Sequence, residues 1–277
     1  MMISTETIVP REAAIELSSQ PVQPFGLLVE ANGTGADLRE LPASLLRQWT
    51  QKHGVVILRG FSALPKEEMV GYARTWGELL TWDFGEVLEL VIHERPRNYL
   101  FTPGNVPLHW DGAFARVVPR FQFFQCRKAP RPGAGGETIF SHTPTVWRRA
   151  TAAQREEWSK VVITYTTEKV AHYGGQVTVP LVSRHPDTGA TTLRFAEELN
   201  DESVKLNPLF IEIAGIPAER REGFLQELRQ ALYDPRACYV HAWRDGDMLL
   251  ADNHAQLHGR NAFQADSPRH LQRIHIL

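Results

Sequence analysis

Hydrophobic residues along this chain recur with two spacings, one typical of helices and one typical of strands. Leu45, Leu46 and Trp49 fall on one face of a helix, so a helix is predicted over residues 41–53 and is expected to end at Gly54. The same spacing predicts further helices over residues 66–77, 145–160 and 217–232. The long stretches between these helices lack helical spacing.

Short runs of β-branched and aromatic residues occupy those stretches and predict strands. The predicted strands cover residues 25–30, 55–59, 121–126, 137–140, 161–165, 239–243, 247–251 and 273–277. Because short strands outnumber helices, we predict a mixed α/β fold that is mainly β. Its core is expected to be a double-stranded β-helix, also called a jelly roll, with the helices packed outside.

Residues 166–207 are weakly patterned and rich in glycine, proline, threonine and histidine. A long insertion of this kind is more often a functional loop than a simple connection, so we predict a lid over residues 166–207. A chain of 277 residues can bury a substantial core. We therefore expect residues 1–277 to form a single domain that includes this lid.

The composition is that of a soluble globular protein, with 43% hydrophobic and 22% charged residues. The formal net charge of −2 does not indicate the positively charged surface typical of a nucleic-acid-binding protein. No apolar run approaches the length needed to cross a membrane. Residues 1–11 contain the acidic Glu6 and no apolar segment, so we expect no secretory signal and a cytoplasmic location. The expected partner is a small-molecule substrate, and a homodimer is left open.

The chain has two cysteines, Cys126 and Cys238, which could form only one disulfide bond, too few to stabilise a domain of this size. Reduced thiols are therefore expected. Cys126 falls within an aromatic-rich predicted strand, and we predict that it lies in the core rather than acting in catalysis.

The strongest chemical signal is a histidine followed two residues later by an aspartate. Side chains two positions apart point to the same side of a strand, so His109 and Asp111 can reach one ion. A third ligand is expected from residues 252–260, where both His254 and His258 are available. Two histidines and one carboxylate on one face of a metal are the ligands of non-haem Fe(II) oxygenases.

Several motifs, in order along most of the chain, extend this pattern. They are His109-Trp110-Asp111, Gly135-Gly136-Glu137-Thr138, the run from Trp243 to Asn253 followed by His258, and then Arg269 and Arg273, 11 and 15 positions after His258. With these motifs the chain resembles the taurine-dioxygenase-like (TauD/TfdA) family of Fe(II)/2-oxoglutarate-dependent oxygenases. The resemblance implies Fe(II), 2-oxoglutarate and O2 as cofactor and co-substrates.

The resemblance also implies the metal ligands. His109, Asp111 and His258 would bind iron, and His258 is preferred to His254 because the family places the ligand after Asp-Asn and four further residues. Asp252 and Asn253 would shape the turn and orient the ligand. The carboxylate of Asp111 argues against the halogenases of this superfamily, which have a small residue there. No metal role is expected for the remaining histidines near the C-terminus, which are His241, His270 and His275.

Other residues would bind the organic molecules. Arg269 would pair with the far carboxylate of 2-oxoglutarate through its planar fork, and Thr138 would donate its hydroxyl to the same carboxylate. Arg273 would hold the anionic end of the substrate, with a structural ion pair as the alternative. For Thr138 the alternative is an ordinary strand residue. Tyr99 and Phe114 are expected to line the substrate pocket if they are not simply core residues.

The sequence of three stretches indicates a substrate class: residues 98–103, 107–114 and 123–126. Within the family, these stretches are most similar to the oxygenases of isonitrile natural-product synthesis (PvcB type). This resemblance implies oxidation of a C–H bond in a carboxylate-bearing isonitrile derived from tyrosine or tryptophan, by desaturation with or without loss of the carboxylate to give a vinyl isonitrile. The alternatives are a hydroxylase of a small sulfonate or free amino acid and, outside enzymes, a non-catalytic double-sheet binding protein.

Overall fold

The computed structural model describes residues 6–7, 15–33, 35–170 and 173–277. The strands within these residues are β1 (Glu6–Thr7), β2 (Leu17–Pro21), β3 (Leu27–Ala31), β4 (Val55–Arg59), β5 (Val87–Leu90), β6 (Val106–His109), β7 (Phe121–Lys128), β8 (Thr138–His142), β9 (Val162–Val170), β10 (Tyr173–Pro180), β11 (Val182–Arg184), β12 (Thr191–Leu193), β13 (Leu209–Ala214), β14 (Cys238–His241), β15 (Met248–Asp252), β16 (Gln256–Arg260) and β17 (His270–Ile276). The helices are α1 (Ala43–His53), α2 (Lys66–Arg74), α3 (Thr143–Arg149), α4 (Ala152–Trp158), α5 (Asp201–Leu206) and α6 (Arg221–Leu232), with short 3-10 turns at Leu38–Glu40, Tyr99–Phe101 and Ala218–Arg220.

The strands form one large sheet, one smaller sheet and two accessory sheets. The large sheet has the order β1-β2-β3-β4-β15-β7-β17-β5 and is antiparallel except between β3 and β4. The smaller sheet has the antiparallel order β14-β8-β16-β6. Strand β9 pairs with β10 and β13, and β11 pairs with β12. The fold is thus mixed α/β and rich in strands, as predicted. Within the described residues, no helix is long and apolar enough to span a membrane.

The large and the smaller sheet share a buried apolar layer. Phe124 of β7, Leu249 of β15 and Phe140 of β8 belong to one cluster of buried residues. Cys126 lies in the same layer, as predicted, and burial raises the pKa of its thiol to about 12. Side chains of a strand alternate between its two faces, so Phe123 of β7 belongs instead to the cluster beneath α1 and α2. Burial of each such large apolar side chain stabilises the fold by about 1.5–3 kcal/mol.

The single helix predicted over residues 145–160 is wrong. The structure has α3 and α4 with a break at Ala150, where Thr151 starts the second helix. The Thr151 hydroxyl accepts a hydrogen bond from the Gln154 amide, and the Gln154 side chain accepts one from the Thr151 amide. This capping box begins a new helix inside a continuous helical pattern. Trp158 is fully buried as predicted, whereas Trp147 is only half-buried.

The prediction of a loop over residues 166–207 is also wrong for the residues that the structure describes. This segment contains the end of β9, all of β10, β11 and β12, and the helix α5; residues 171 and 172 lie outside the described residues. Strand β10 contains two glycines and only two valines among its eight residues, so its sequence carries a short and weak hydrophobic pattern. Whether the segment acts as a lid stays a prediction.

Strand β16 was not predicted, although all five of its residues are buried. Its sequence contains one large apolar residue, so it gives neither an alternating nor a continuous apolar signal. The strand lies between β6 and β8, and its central His258 is directly opposite His109 of β6. This pairing brings the two motifs of the sequence together.

Candidate metal centre

His109, Asp111 and His258 converge at the edge of the smaller sheet. His109 ends β6, Asp111 lies in the following turn, and His258 is the cross-strand neighbour of His109. One ligand atom from each of the three lies within 4.8 Å of the others. His109 Nε2 is 3.6 Å from Asp111 Oδ1, and His258 Nε2 is 3.6 Å from Asp111 Oδ2. At these separations the three side chains could hold a single metal ion.

Each of the two histidines has a ring nitrogen whose lone pair can bind a metal ion. The Nδ1–H of His109 donates to the Pro107 carbonyl at 2.9 Å, which leaves Nε2 facing Asp111. Burial lowers the pKa of His258 well below its usual value, so its ring is neutral. Neutral imidazole is the form that binds metals.

His254, the other candidate for the third ligand, lies outside this group. Its Nδ1 contacts the guanidinium of Arg194, and its ring centroid is 5.6 Å from that of His185. Burial lowers the pKa of His254 to about 3. Among the described residues, the group of possible metal ligands contains His258 and not His254.

Asp252 and Asn253 form the turn that holds Asp111 in place. The Asn253 side chain accepts a hydrogen bond from the Asp111 amide at 3.0 Å and donates to the Asp111 carbonyl at 3.0 Å and to the Pro119 carbonyl at 2.8 Å. Asp252 accepts hydrogen bonds from the backbone of the same turn, and its Oδ2 is 2.8 Å from Nε2 of the buried His185. The turn therefore fixes the backbone of Asp111, which agrees with the orienting role expected from the sequence.

Three further side chains surround the Asp111 carboxylate. Oδ2 lies 2.5 Å from Gln122 Nε2, 2.7 Å from His275 Nε2 and 2.9 Å from Arg273 Nη1. Burial works to raise the pKa of Asp111, but the charge of Arg273 outweighs it and holds that pKa well below its usual value. The carboxylate is thus ionised and ready to bind a cation.

Gln122 and His275 were missed by the sequence reasoning, which expected no metal-related role for His275. They lie opposite each other on β7 and β17. Arg273 and His275 are two positions apart on the same strand, so the alternation rule would have placed His275 beside Arg273. Gln122 carries no comparable signal, because only the pairing of β7 with β17 brings it to the site.

Arg269 is a buried cation without an acidic partner. Its Nε donates to the Gly136 carbonyl at 3.1 Å, and its guanidinium lies over the Phe263 ring at 5.6 Å. In the part of the chain that the structure describes, no carboxylate lies within ion-pair distance of it. Burial, with a smaller effect of nearby Arg260, lowers the pKa of Arg269 to about 9. A buried charge of this kind is costly unless an anion joins it, so its surroundings suit an anionic ligand.

Thr138 lies in the centre of the smaller sheet and is buried. Its Oγ1 accepts a hydrogen bond from Trp243 Nε1 at 2.9 Å. An indole N–H can only donate, so this contact uses an oxygen lone pair of Thr138 and leaves the hydroxyl hydrogen available for an acceptor.

Tyr99 and Phe114 are both half-buried. Tyr99 begins the short 3-10 turn Tyr99–Phe101, and the backbone that follows is held by the buried Arg260 of β16. Arg260 donates hydrogen bonds to the carbonyls of Leu100, Thr102 and Gly104. Phe114 packs against the apolar cluster on the outer side of the smaller sheet.

A family comparison decides the class of protein. The model of the taurine catabolism dioxygenase (TauD/TfdA) family matches residues 18–275. The chain belongs to this family. Together with the metal-ligand group, membership makes the protein an enzyme of the Fe(II)/2-oxoglutarate-dependent oxygenases and confirms the resemblance seen in the motifs.

Within the TauD/TfdA family the chain is similar to proteins of isonitrile synthesis. It is 52% identical to 3-((Z)-2-isocyanoethenyl)-1H-indole synthase of Fischerella ambigua over 277 residues, which is 100% of both chains. It is 40% identical to tyrosine isonitrile desaturase of Pseudomonas aeruginosa over 274 residues, which is 94% of each. The solved structure of PvcB, an Fe, alpha-ketoglutarate dependent oxygenase from an isonitrile synthetic pathway, matches with a TM-score of 0.79 and 35% identity, over 98% of this chain and 94% of PvcB.

Proposed function

We propose that this protein oxidises an isonitrile derived from an aromatic amino acid and still carrying the carboxylate of that amino acid. The similarity to two relatives named for isonitrile products and substrates supports this substrate class. The observation on which the chemistry depends is the convergence of His109, Asp111 and His258 within 4.8 Å. An indole-bearing substrate is favoured, because the relative that is 52% identical is named for an indole product.

His109, Asp111 and His258 would hold Fe(II) through one face and leave the opposite positions for 2-oxoglutarate and O2. When bound, iron with 2-oxoglutarate supplies the oxidation of a C–H bond. The protein's own contribution is to present two imidazoles and one ionised carboxylate at the distances described above. Buried surroundings keep water away from Asp111 and His258, which are 8% and 5% exposed, whereas His109 is only half-buried.

Arg269 and Thr138 would bind the far carboxylate of 2-oxoglutarate. The guanidinium of Arg269 is buried and lacks a carboxylate partner among the described residues, and a carboxylate can accept two parallel hydrogen bonds from it. The free hydroxyl hydrogen of Thr138 can add a third. This arrangement would orient 2-oxoglutarate with its keto acid end toward the iron.

Arg273 would attract the substrate carboxylate. Its Nη1 contacts both Asp111, at 2.9 Å, and His258, at 3.3 Å, so an anion bound to this guanidinium would lie beside the metal. A contribution of Tyr99 and Phe114 to the aromatic surface around the substrate ring has only the support of the sequence, since Phe114 packs against the outer cluster. The contact with Asp111 means that the substrate would share Arg273 with the metal ligand rather than have it alone.

Two products fit this chemistry. The substrate can lose a benzylic hydrogen together with its carboxylate, which leaves as CO2 and gives a vinyl isonitrile, or it can lose two hydrogens and keep the carboxylate. In both cases the substrate gives up two electrons, and 2-oxoglutarate gives up two as it becomes succinate and CO2. O2 takes up all four.

The remaining expectations stay proposals. The packing of two sheets face to face supports a double-stranded β-helix core within a single domain over residues 1–277. A lid function of residues 166–207, a cytoplasmic location, a homodimer and the lack of a nucleic-acid partner have only the support of the sequence.

The test begins without oxygen, where Fe(II) and 2-oxoglutarate should produce a weak visible charge-transfer band. Air and the isonitriles of tryptophan or tyrosine should then give a desaturated product and one succinate per turnover, measured by mass spectrometry. Asp111→Ala should show neither band nor product. Faster oxidation of taurine or a free amino acid would favour the alternative of a small-molecule hydroxylase.

A further inference from the structure

The two oxygens of the Asp111 carboxylate have different surroundings. Gln122, His275 and Arg273 all contact Oδ2, at 2.5, 2.7 and 2.9 Å. Oδ1 lies 3.6 Å from Nε2 of His109, and none of those three contacts is to Oδ1. Oδ2 is equally close to Nε2 of His258, at 3.6 Å, so the hydrogen bonds and not the distances to the histidines distinguish the two oxygens. A carboxylate oxygen has lone pairs for about two strong hydrogen bonds, so Oδ2 is fully used.

The protonation of His275 follows from its second neighbour, Trp82. Trp82 Nε1 lies 3.0 Å from His275 Nδ1, and an indole N–H can only donate. His275 Nδ1 must therefore accept, and the proton of the neutral ring is on Nε2. Nε2 then donates to Asp111 Oδ2 at 2.7 Å. His275 is 2% exposed, so the direction of both hydrogen bonds is set by the packing and does not need water.

We propose that Trp82 and His275 are positioning residues, which turn the Asp111 carboxylate so that Oδ1, and not Oδ2, faces the iron. This inference rests on the proposed iron site. A carboxylate that binds through one oxygen occupies one position on the metal, and three protein ligands then leave three positions for 2-oxoglutarate and O2. A carboxylate that binds through both oxygens would take one of those three.

His275 is suited to this task in a way that Arg273 is not. The Arg273 guanidinium contacts Oδ2 as well, but the same nitrogen also lies 3.3 Å from Nε2 of His258, so it is shared between two of the proposed ligands. His275 reaches Asp111 through a single nitrogen whose proton is fixed by Trp82. Loss of a hydrogen-bond partner of a metal ligand commonly reduces metal affinity about 10–100-fold.

The test compares Fe(II) affinity, measured anaerobically by calorimetry, in four variants. His275→Leu should bind Fe(II) about 10–100-fold more weakly than the unchanged protein. His275→Gln, whose amide can still donate to Oδ2, should recover most of the loss, and Trp82→Phe should show a smaller loss in the same direction. His270→Leu is the matched control, because His270 lies on the same strand but pairs with Glu89, and its affinity should not change.

A second measurement tests whether the coordination position for O2 on the iron is open. Nitric oxide added to the protein with Fe(II) and 2-oxoglutarate should give a strong electron paramagnetic resonance signal, because it binds where O2 would bind. The signal should weaken in His275→Leu and return in His275→Gln. These readouts do not depend on turnover of any substrate.

Folded His275→Leu with unchanged Fe(II) affinity and an unchanged nitric oxide signal would overturn the inference, and His275 would be a structural residue only. If His275→Leu does not fold, Trp82→Phe decides, and an unchanged affinity there would overturn the inference equally. Asp111→Ala separates this failure from a failure of the iron site. If Asp111→Ala also keeps full affinity, the proposed site itself is wrong.

Discussion

Replacement of Arg269 by methionine separates a binding role of this residue from a structural one. Methionine keeps much of the volume and removes the charge. In the protein without 2-oxoglutarate, the change removes one hydrogen bond to the Gly136 carbonyl and the contact with the Phe263 ring, and it also removes a buried cation that has no acidic partner among the described residues. These effects oppose each other, so the free energy of unfolding should change by no more than about 1–2 kcal/mol.

The effect on 2-oxoglutarate should be much larger. Two charge-assisted hydrogen bonds contribute about 1.5–3 kcal/mol each, so their loss should weaken binding by roughly 3–6 kcal/mol. This corresponds to an increase in Kd of about 10²–10⁴-fold. At a concentration of 100 times its Kd, 2-oxoglutarate should stabilise the unchanged protein with Fe(II) by about 2.7 kcal/mol. The same concentration should stabilise Arg269→Met by less than about 0.5 kcal/mol.

The assay is anaerobic thermal unfolding with and without 2-oxoglutarate. Arg260→Met is the matched control, because Arg260 is an equally buried arginine that donates to three backbone carbonyls. Each carbonyl left without a partner costs roughly 1–3 kcal/mol, so this variant should lose stability even without the ligand. The reasoning is refuted if Arg269→Met keeps the full stabilisation by 2-oxoglutarate, or if it loses as much ligand-free stability as Arg260→Met.

Two further predictions concern the site, and a third concerns a histidine outside it. His258→Ala should abolish the anaerobic charge-transfer band, whereas His254→Ala should leave it; a lost band in both would return His254 to the ligand set. Arg273→Met should raise the KM for the isonitrile while the band persists, and an unchanged KM would remove its substrate role. Burial lowers the pKa of His142 to about 4, so the unfolded state binds a proton first as the pH falls. The stability that this histidine contributes is present above pH 6.5 and is lost between pH 6.5 and about 4, and His142→Gln should flatten that part of the stability curve in denaturant titrations.

The sequence predicted those parts of the site that are encoded locally. His109 and Asp111 could be paired from their spacing, and the choice of His258 followed from its distance to Asn253 in the family motif. Gln122 lies on β7 and contacts Asp111 only because β7 pairs with β17. The sequence of β7 gives no indication of which strand it pairs with. Strand β16 was missed because its buried residues are mostly polar or small. Helix periodicity likewise could not locate the break at Thr151, where a capping box outweighs a continuous helical pattern.

The insertion shows why a weak pattern is a poor guide to mobility. Glu197 is buried and accepts hydrogen bonds from the Leu108 amide at 2.9 Å and from Arg229 at 2.8 Å, so it fixes the residue next to His109. His185 reaches the turn that carries Asn253 through its 2.8 Å contact with Asp252. Buried hydrogen bonds to charged groups contribute about 1.5–3 kcal/mol each, and moving this part of the insertion would break both. The part of the segment from His185 to Glu197 therefore supports the proposed metal ligands, and any lid motion must be sought in the remainder.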